Sequence, residues 1–319
     1  MWSGAKALDI MVRAPTNTDI LMITLLLHSL RGSGGLLLIL TNTLFWFLPI
    51  LALALVKLLP VGRWRRGCSR WLDGCASGWI GVNNRIQRLL HLGQLNVVGV
   101  DNLSKKEWYM VIANHQSWVD ILVLQRVFHR RIPFLKFFLK KELIWVPLLG
   151  IAWWALDFPF MRRYSARFLQ RHPHLRGRDI ETTRRACAKY RHMPVSIMNF
   201  VEGTRFSHDK RQQQGAPFRH LLKPRAGGIA FTLGAMGDQL HQLLDVTICY
   251  PRGVPTFWDF ICGKAREIHV KIEKLPINDQ LKGDYFNNAL FQQGFQQWLN
   301  DRWQAKDRQL DEWLTRETS

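Results

Sequence analysis

Two short segments bring together side chains that can move a proton and grip an anion. In the first, Asn114-His115-Gln116-Ser117-Trp118-Val119-Asp120, a histidine and an aspartate follow the apolar run from Trp108 to Ala113. They stand five residues apart, about 140° round an ideal helix, so inside one helix they share no face. Ser117 reads as an N-cap with Asp120 at N3, in the manner of a capping box, which starts a helix there and leaves His115 in the preceding turn. From that turn the two side chains can meet. A carboxylate on one imidazole nitrogen leaves the other free to act as a base. The plainer alternative is a capping aspartate beside a loop histidine with no chemistry.

The second segment is Phe200-Val201-Glu202-Gly203-Thr204-Arg205-Phe206. An acid, a glycine to turn the chain and an arginine leave a second apolar run together. Arg205 offers a planar donor fork suited to a phosphate or a carboxylate. Glu202 either accepts from a substrate hydroxyl or holds that arginine in place; on its own the tetrad is equally a turn with a surface ion pair. The five cysteines (Cys68, Cys75, Cys187, Cys249 and Cys262) are scattered, with no C-x-x-C and no zinc spacing, so neither a metal site nor a disulfide framework is expected. A reducing compartment follows from the same spacing.

Short β-runs alternating with helical stretches position both segments. Asn96–Val100, Trp108–Ala113, Val195–Val201, Leu243–Tyr250 and Glu267–Glu273 read as strands. Trp118–His129, Lys140–Trp154, Arg178–Arg191 and Gly227–Leu240 read as helices between them. This alternation predicts one α/β domain with a mixed, largely buried central sheet flanked by helices. A last amphipathic helix spaces Leu290, Phe291, Phe295, Trp298, Leu299 and Trp303. Strand ends in such sheets are where ligands bind, and both segments lie there.

Lys and Arg number 44 against 24 Asp and Glu, a net charge of +20, and there are 14 tryptophans among 319 residues. A basic, aromatic-rich chain wants an anionic partner, either nucleic acid or a membrane surface. Between Ile20 and Val56 Arg31 is the one charged residue, and Leu36 to Val56 is uncharged throughout. That last run reaches about 32 Å as a helix. The stretch Arg31-Gly32-Ser33-Gly34-Gly35 reads as a turn, giving either one spanning helix with a lead-in or two helices dipping into one leaflet. Lys57, Arg63, Arg65, Arg66 and Arg70, with Trp64 and Trp71, then mark a cytoplasmic interface. The expected organisation is a polar lead-in (1–19), an apolar membrane anchor (20–56), a basic juxtamembrane helical region (57–95), a catalytic domain (96–280) and the amphipathic helix (281–319).

The two motifs together, N-H-x4-D and later (F/V)-x-E-G-T-R, resemble the PlsC-type lysophospholipid acyltransferases, in which they are the first and third motifs. A second motif is similar to Lys136, Lys140 and Lys141 leading to Pro147-Leu148-Leu149-Gly150 and then Phe158-Pro159-Phe160-Met161-Arg162-Arg163. The fourth looks like Val246-Thr247-Ile248-Cys249-Tyr250-Pro251, and Leu222-Lys223-Pro224-Arg225-Ala226-Gly227 matches the loop between the third and fourth. The wording of the motifs looks most like the branch that holds bacterial YihG. Val201, where proline is usual, is the departure, and it touches no reacting group.

The resemblance implies transfer of a fatty acyl group from acyl-CoA or acyl carrier protein to the sn-2 hydroxyl of 1-acyl-glycerol 3-phosphate. It implies His115 as general base and Asp120 as its partner. Glu202, Gly203, Thr204 and Arg205 would serve the acceptor, with Arg205 first, and Lys136 and Arg162 behind it, for the phosphate. A thioester is already activated, so no cofactor is implied, and the partners are the two substrates and an anionic membrane surface, the cell inner membrane if the chain is bacterial. Another lysophospholipid is the alternative acceptor. A non-catalytic membrane-surface protein or a nucleic-acid binder would also be basic, yet the chain carries no RRM, KH, zinc-finger or helix-turn-helix signature, and no nucleic-acid partner is expected.

Overall fold

The computed structural model describes residues 17–59, 62–161 and 178–316. It opens with α1 (Asn17–Lys57) and α2 (Gly62–Leu89), which pack antiparallel. Asn42 Nδ2 donates to Trp79 O at 3.0 Å and to Asn83 Oδ1 at 2.8 Å, and the Trp79 indole donates to Thr43 Oγ1 at 3.1 Å. α1 is a single helix, and the turn expected at Arg31–Gly35 does not form. Gly32 serves close approach instead: a β-carbon there would come within 2.5 Å of Cys262 Sγ and 3.2 Å of the Trp258 ring. Among the described residues this one helix, from Met22 to Lys57, is long and apolar enough to cross a membrane.

The sheet follows: β1 (Gln94–Val98), β2 (Tyr109–Ala113), β3 (Leu135–Phe137), β6 (Ser196–Phe200), β7 (Gln242–Cys249) and β8 (Glu267–Pro276), in the order β1-β8-β7-β2-β6-β3. All neighbours are parallel except β7 and β8, so the sheet is mixed, as expected. The central strand β2 is buried along its whole length, the mark of a strand covered on both faces. Helix α3 (Val119–Phe128) packs one face through Val123, Leu124 and Val127. The opposite face is covered by α5 (Arg178–Cys187), α7 (Ala226–Met236) and α9 (Ala289–Arg316), the last through Phe295, Leu299, Trp303 and Leu310.

Two expectations fail between residues 135 and 161. The short β3 was not foreseen, and the predicted helix Lys140–Trp154 is broken into β4 (Leu139–Lys140), a 3-10 turn (Lys141–Trp145) and α4 (Leu149–Ala155), with β4 pairing β5 (Phe160–Met161). Pro147 explains the break, since it lacks the donor a continuing helix needs. Two short helices complete the domain, α6 (His208–Gln214) and α8 (Phe257–Ile261).

Candidate active site

Strand register builds the site. Ala113 of β2 pairs with Phe200 of β6, so residues two positions beyond each, His115 and Glu202, emerge side by side at the carboxyl ends of parallel strands. Ala113 also pairs with Val246 of β7, and one residue on Asn114 locks that side: its amide donates to Ile248 O and accepts from Ile248 N, both at 2.9 Å.

His115 Nδ1 lies 2.8 Å from Asp120 Oδ2. Asp120 is fully buried and its carboxylate is surrounded by donors: Gln116 N at 2.6 Å and Ser117 N at 2.9 Å on Oδ2, and the Tyr250 hydroxyl at 2.6 Å on Oδ1. With both oxygens taken as acceptors, Nδ1 carries the imidazole proton and Nε2 is the basic nitrogen. Burial, followed by the charge and hydrogen bond of Asp120, pushes the Tyr250 phenol well above its ordinary range, so it stays a donor. The His115 side chain keeps 13% exposure, and its ring stacks on Phe200 with centroids 3.9 Å apart. Phe137 stacks behind Phe200 at 6.3 Å.

The expected N-cap shifts by one residue. Trp118 occupies that position with no side-chain cap, while Ser117 Oγ donates to Pro255 O at 2.6 Å and accepts from Val119 N. Asp120 makes the return half of the capping box to Ser117 N, but its carboxylate is turned back over residues 115–117 and so serves the histidine too.

Of the two roles expected of Glu202, holding Arg205 is not the one it takes. It is fully buried, holds no contact with Arg205, and accepts from two backbone amides, His115 N at 3.1 Å on Oε1 and Leu222 N at 3.0 Å on Oε2. Burial raises its carboxyl to about 8, against the opposing pull of those two amides and the Lys306 charge. Gly203 takes φ +71, which suits glycine, and turns the chain out of the sheet. Arg205 is exposed, with its guanidinium 4.8 Å from the Trp118 ring centroid. Lys210 Nζ donates to Thr204 Oγ1 at 2.9 Å and to Arg205 O at 3.0 Å, which fixes the turn and adds a second cation to it.

Lys136 is not brought to this site. It is 1% exposed and ion-paired to Asp73 of α2 at 3.1 Å, and strand alternation turns it away from Phe137, the neighbour that faces the His115 stack. Arg162 lies outside the described residues. Reading the sequence also missed the parts played by Asn114, Trp118, Phe200 and Lys210; Tyr250 was visible only as a strand-end residue before Pro251. No group of three or more His, Cys, Asp or Glu is placed to hold a metal ion among the described residues.

Residues 94–250 match the family model described as Acyltransferase. The chain is 23% identical over 229 residues to 1-acyl-sn-glycerol-3-phosphate acyltransferase epsilon of Mus musculus, covering 65% of this chain and 58% of that protein, so it spans little more than half the relative's length. It is 27% identical over 294 residues to lysophosphatidylinositol acyltransferase 10 of Caenorhabditis elegans, covering 86% of this chain and 67% of that protein. A solved structure, the LPA acyltransferase PlsC from Thermotoga maritima, is similar at TM-score 0.48 and 18% identity over 88% of this chain and 97% of that one.

Proposed function

We propose that this chain, whose residues 94–250 carry an acyltransferase domain, is a membrane-associated enzyme that acylates the free hydroxyl of a lysophospholipid. The observation that carries the reading is the Nδ1–Asp120 contact of 2.8 Å, which leaves Nε2 of the partly exposed His115 ring free to act as a base. An aliphatic hydroxyl is a poor nucleophile near pH 7, so it needs a base in reach. In this reaction Nε2 takes the hydroxyl proton as the oxygen bonds to the thioester carbonyl carbon. The tetrahedral intermediate then collapses, the carbon–sulfur bond breaks, and the thiolate takes the proton back from His115. Asp120 stabilises the imidazolium between the two transfers.

The acceptor's phosphate binds at Arg205. Stacking on Trp118 at 4.8 Å holds the guanidinium plane, and Lys210 adds a cation beneath the turn. The preferred acceptor is 1-acyl-glycerol 3-phosphate at its sn-2 position, with acyl-CoA or acyl carrier protein as donor. The exposed apolar side of α1 and the basic start of α2 hold the enzyme at the anionic inner leaflet of a bacterial inner membrane, and the motif wording favours the YihG-like branch. A second acceptor reading, a lysophospholipid with a larger headgroup, is favoured by the relative named for lysophosphatidylinositol.

The test is acyl transfer by purified protein in detergent, over a panel of lysophospholipids with each donor. Product with lysophosphatidic acid at the highest kcat/KM supports the first reading. Preference for a larger headgroup selects the second. No transfer with any pair overturns both.

A further inference from the structure

The loop from Arg219 to Ala226 takes its shape from side chains that reach it from elsewhere. Leu222 N bonds Glu202, and Arg225 N donates to Val201 O at 2.9 Å. From α6, Gln214 Oε1 accepts from Lys223 N at 3.1 Å and the Arg211 guanidinium donates to Arg219 O at 2.9 Å. Both ends of the loop are also held by α9, which lies beyond the residues matched by the family model. Asp307 accepts from Arg219 N on Oδ2 and from His220 N on Oδ1, each at 2.8 Å. One end of the same helix holds the other end of the loop: Gln296 Nε2 donates to Pro224 O at 3.1 Å, and Gln296 Oε1 accepts from Ala226 N at 3.3 Å.

Asp307 is an odd residue for its place. It is 6% exposed and sits on the buried stripe of α9, between Trp303 and Leu310, where the period of the helix calls for an apolar side chain. A buried carboxylate is costly unless donors satisfy it, and here those donors are the two loop amides. Its neighbour Lys306, also buried, is paired with Asp245 at 2.7 Å, so Asp307 is not there to neutralise that lysine. Its contacts lead one way: Asp307 fixes residues 219–220, two residues on Leu222 N fixes Glu202, and the other oxygen of Glu202 fixes the backbone of His115 at 3.1 Å. The same loop sits under the Gly203 turn, where a β-carbon would lie 3.7 Å from Arg225 Cδ.

We propose that Asp307 is a positioning residue, holding the His115 backbone through the 219–226 loop and Glu202, so that the C-terminal helix is a working part of the catalytic site. This rests on His115 being the base. A side chain acting through two relays sets geometry without touching substrate, and misplacement of a base by about 1 Å is enough to lose rate on the order of a hundredfold.

The experiment uses the full chain with Asp307→Ala, Asp307→Asn and Gln296→Ala, and Asp301→Asn as an exposed control on the same helix. Three readouts are taken: kcat and KM for acyl transfer, melting temperature, and hydrogen exchange of peptides covering 114–121, 219–226 and the β2 strand. The expected result for Asp307→Ala is a kcat lower by about tenfold or more with the donor KM unchanged. Exchange should quicken at 114–121 and 219–226 but not in β2. Asp307→Asn, which keeps one acceptor, should fall between the alanine variant and wild type, Gln296→Ala should move the same peptides, and Asp301→Asn should move nothing. A kcat within about twofold of wild type, or faster exchange spread evenly over β2 as well, overturns the proposal. If the alanine variant fails to fold, the asparagine and Gln296 variants decide by the same criteria. Wild-type protein that transfers no acyl group sinks the functional reading, while the exchange data still decide whether α9 holds the His115 loop.

Discussion

His115 and Glu202 are each two residues past a register pair, Ala113 and Phe200, and the backbone amide of the first lies 3.1 Å from a carboxylate oxygen of the second. The motif that supplies Arg205 therefore also supplies the group that fixes the His115 backbone. The two motifs are one structural unit although about 80 residues of chain separate them, and several measurable consequences follow from its wiring.

His115→Ala removes the proposed base and one stacking partner of Phe200. The turnover for acyl transfer should fall on the order of 10²–10⁴-fold or more, with expression and sedimentation with membranes unchanged. A variant that keeps more than about a tenth of the wild-type rate takes His115 out of the mechanism.

Asp120→Asn and Tyr250→Phe should separate. Asparagine offers one acceptor oxygen where the carboxylate receives His115, Gln116, Ser117 and Tyr250, so buried donors lose their partner at a cost of about 1–3 kcal/mol in addition to the lost imidazolium stabilisation. Tyr250→Phe removes a single donor and should cost about 1 kcal/mol with only a few-fold loss of rate. Chemical denaturation beside steady-state kinetics checks the pair; equal rate losses in both would mean that Asp120 does not act through the imidazole.

Glu202 gives the protein a pH signature. Its carboxyl, raised by burial to about 8, binds a proton in the folded state that the unfolded chain releases near its ordinary 4.5. Between those two values the native state holds more protons, so stability falls as pH rises, and the fall ends once the folded group has ionised above about 8. Glu202→Gln should remove that slope, because an amide does not titrate, and should lower turnover, because it cannot accept from both His115 N and Leu222 N. Melting curves at intervals from pH 5 to 9 decide it, and a slope unchanged in the variant assigns the dependence elsewhere.

Arg205→Lys should raise the acceptor KM more than it lowers kcat, since an ammonium keeps the charge and loses the fork. Trp118→Ala should raise the same KM by about two- to fivefold, the worth of an exposed cation–π contact. With no bond between Glu202 and Arg205, neither effect can be ascribed to a broken ion pair. Arg205→Lys slowing every acceptor equally at unchanged KM would remove the phosphate from this position.

Lysines at Leu37, Leu44 and Leu48, all more than 60% exposed on α1, should shift the protein from a high-salt-washed membrane pellet toward the supernatant while its circular dichroism stays that of wild type. A triple variant that still pellets completely would end the assignment of α1 to the membrane.

Much of this was legible in the chain because it is local. Strands such as Tyr109–Ala113 announce themselves as apolar runs, and His115 with Asp120 needs only a strand end and the first turn of a helix. Lys136 misled because nothing local distinguishes a cation reserved for Asp73, 63 positions earlier, from one reserved for a phosphate. Glu202 misled for the related reason that its partners are backbone amides brought in by register and by a distant loop. The stretch 31–35 read as a turn since the use of Gly32, close packing on Trp258 and Cys262, depends on a segment more than 200 residues away. Asp307 did leave a trace, a carboxylate on the apolar stripe of an otherwise regular amphipathic helix.

The long apolar helix is tied to the domain at three places: His28 to Cys262 O at 2.8 Å, Asn42 to α2, and Lys57 to Ala155 O at 2.7 Å and Asp157 at 2.6 Å. From His28 to Lys57 is about 44 Å of helix, more than the roughly 30 Å of a hydrocarbon core. A rod fastened along that whole length cannot stand upright through a bilayer while its domain stays on one side. On the proposed membrane reading it would work as a keel, meeting lipid broadside with one flank of the protein in a single leaflet, and substrates would reach His115 by two-dimensional diffusion without being lifted into water.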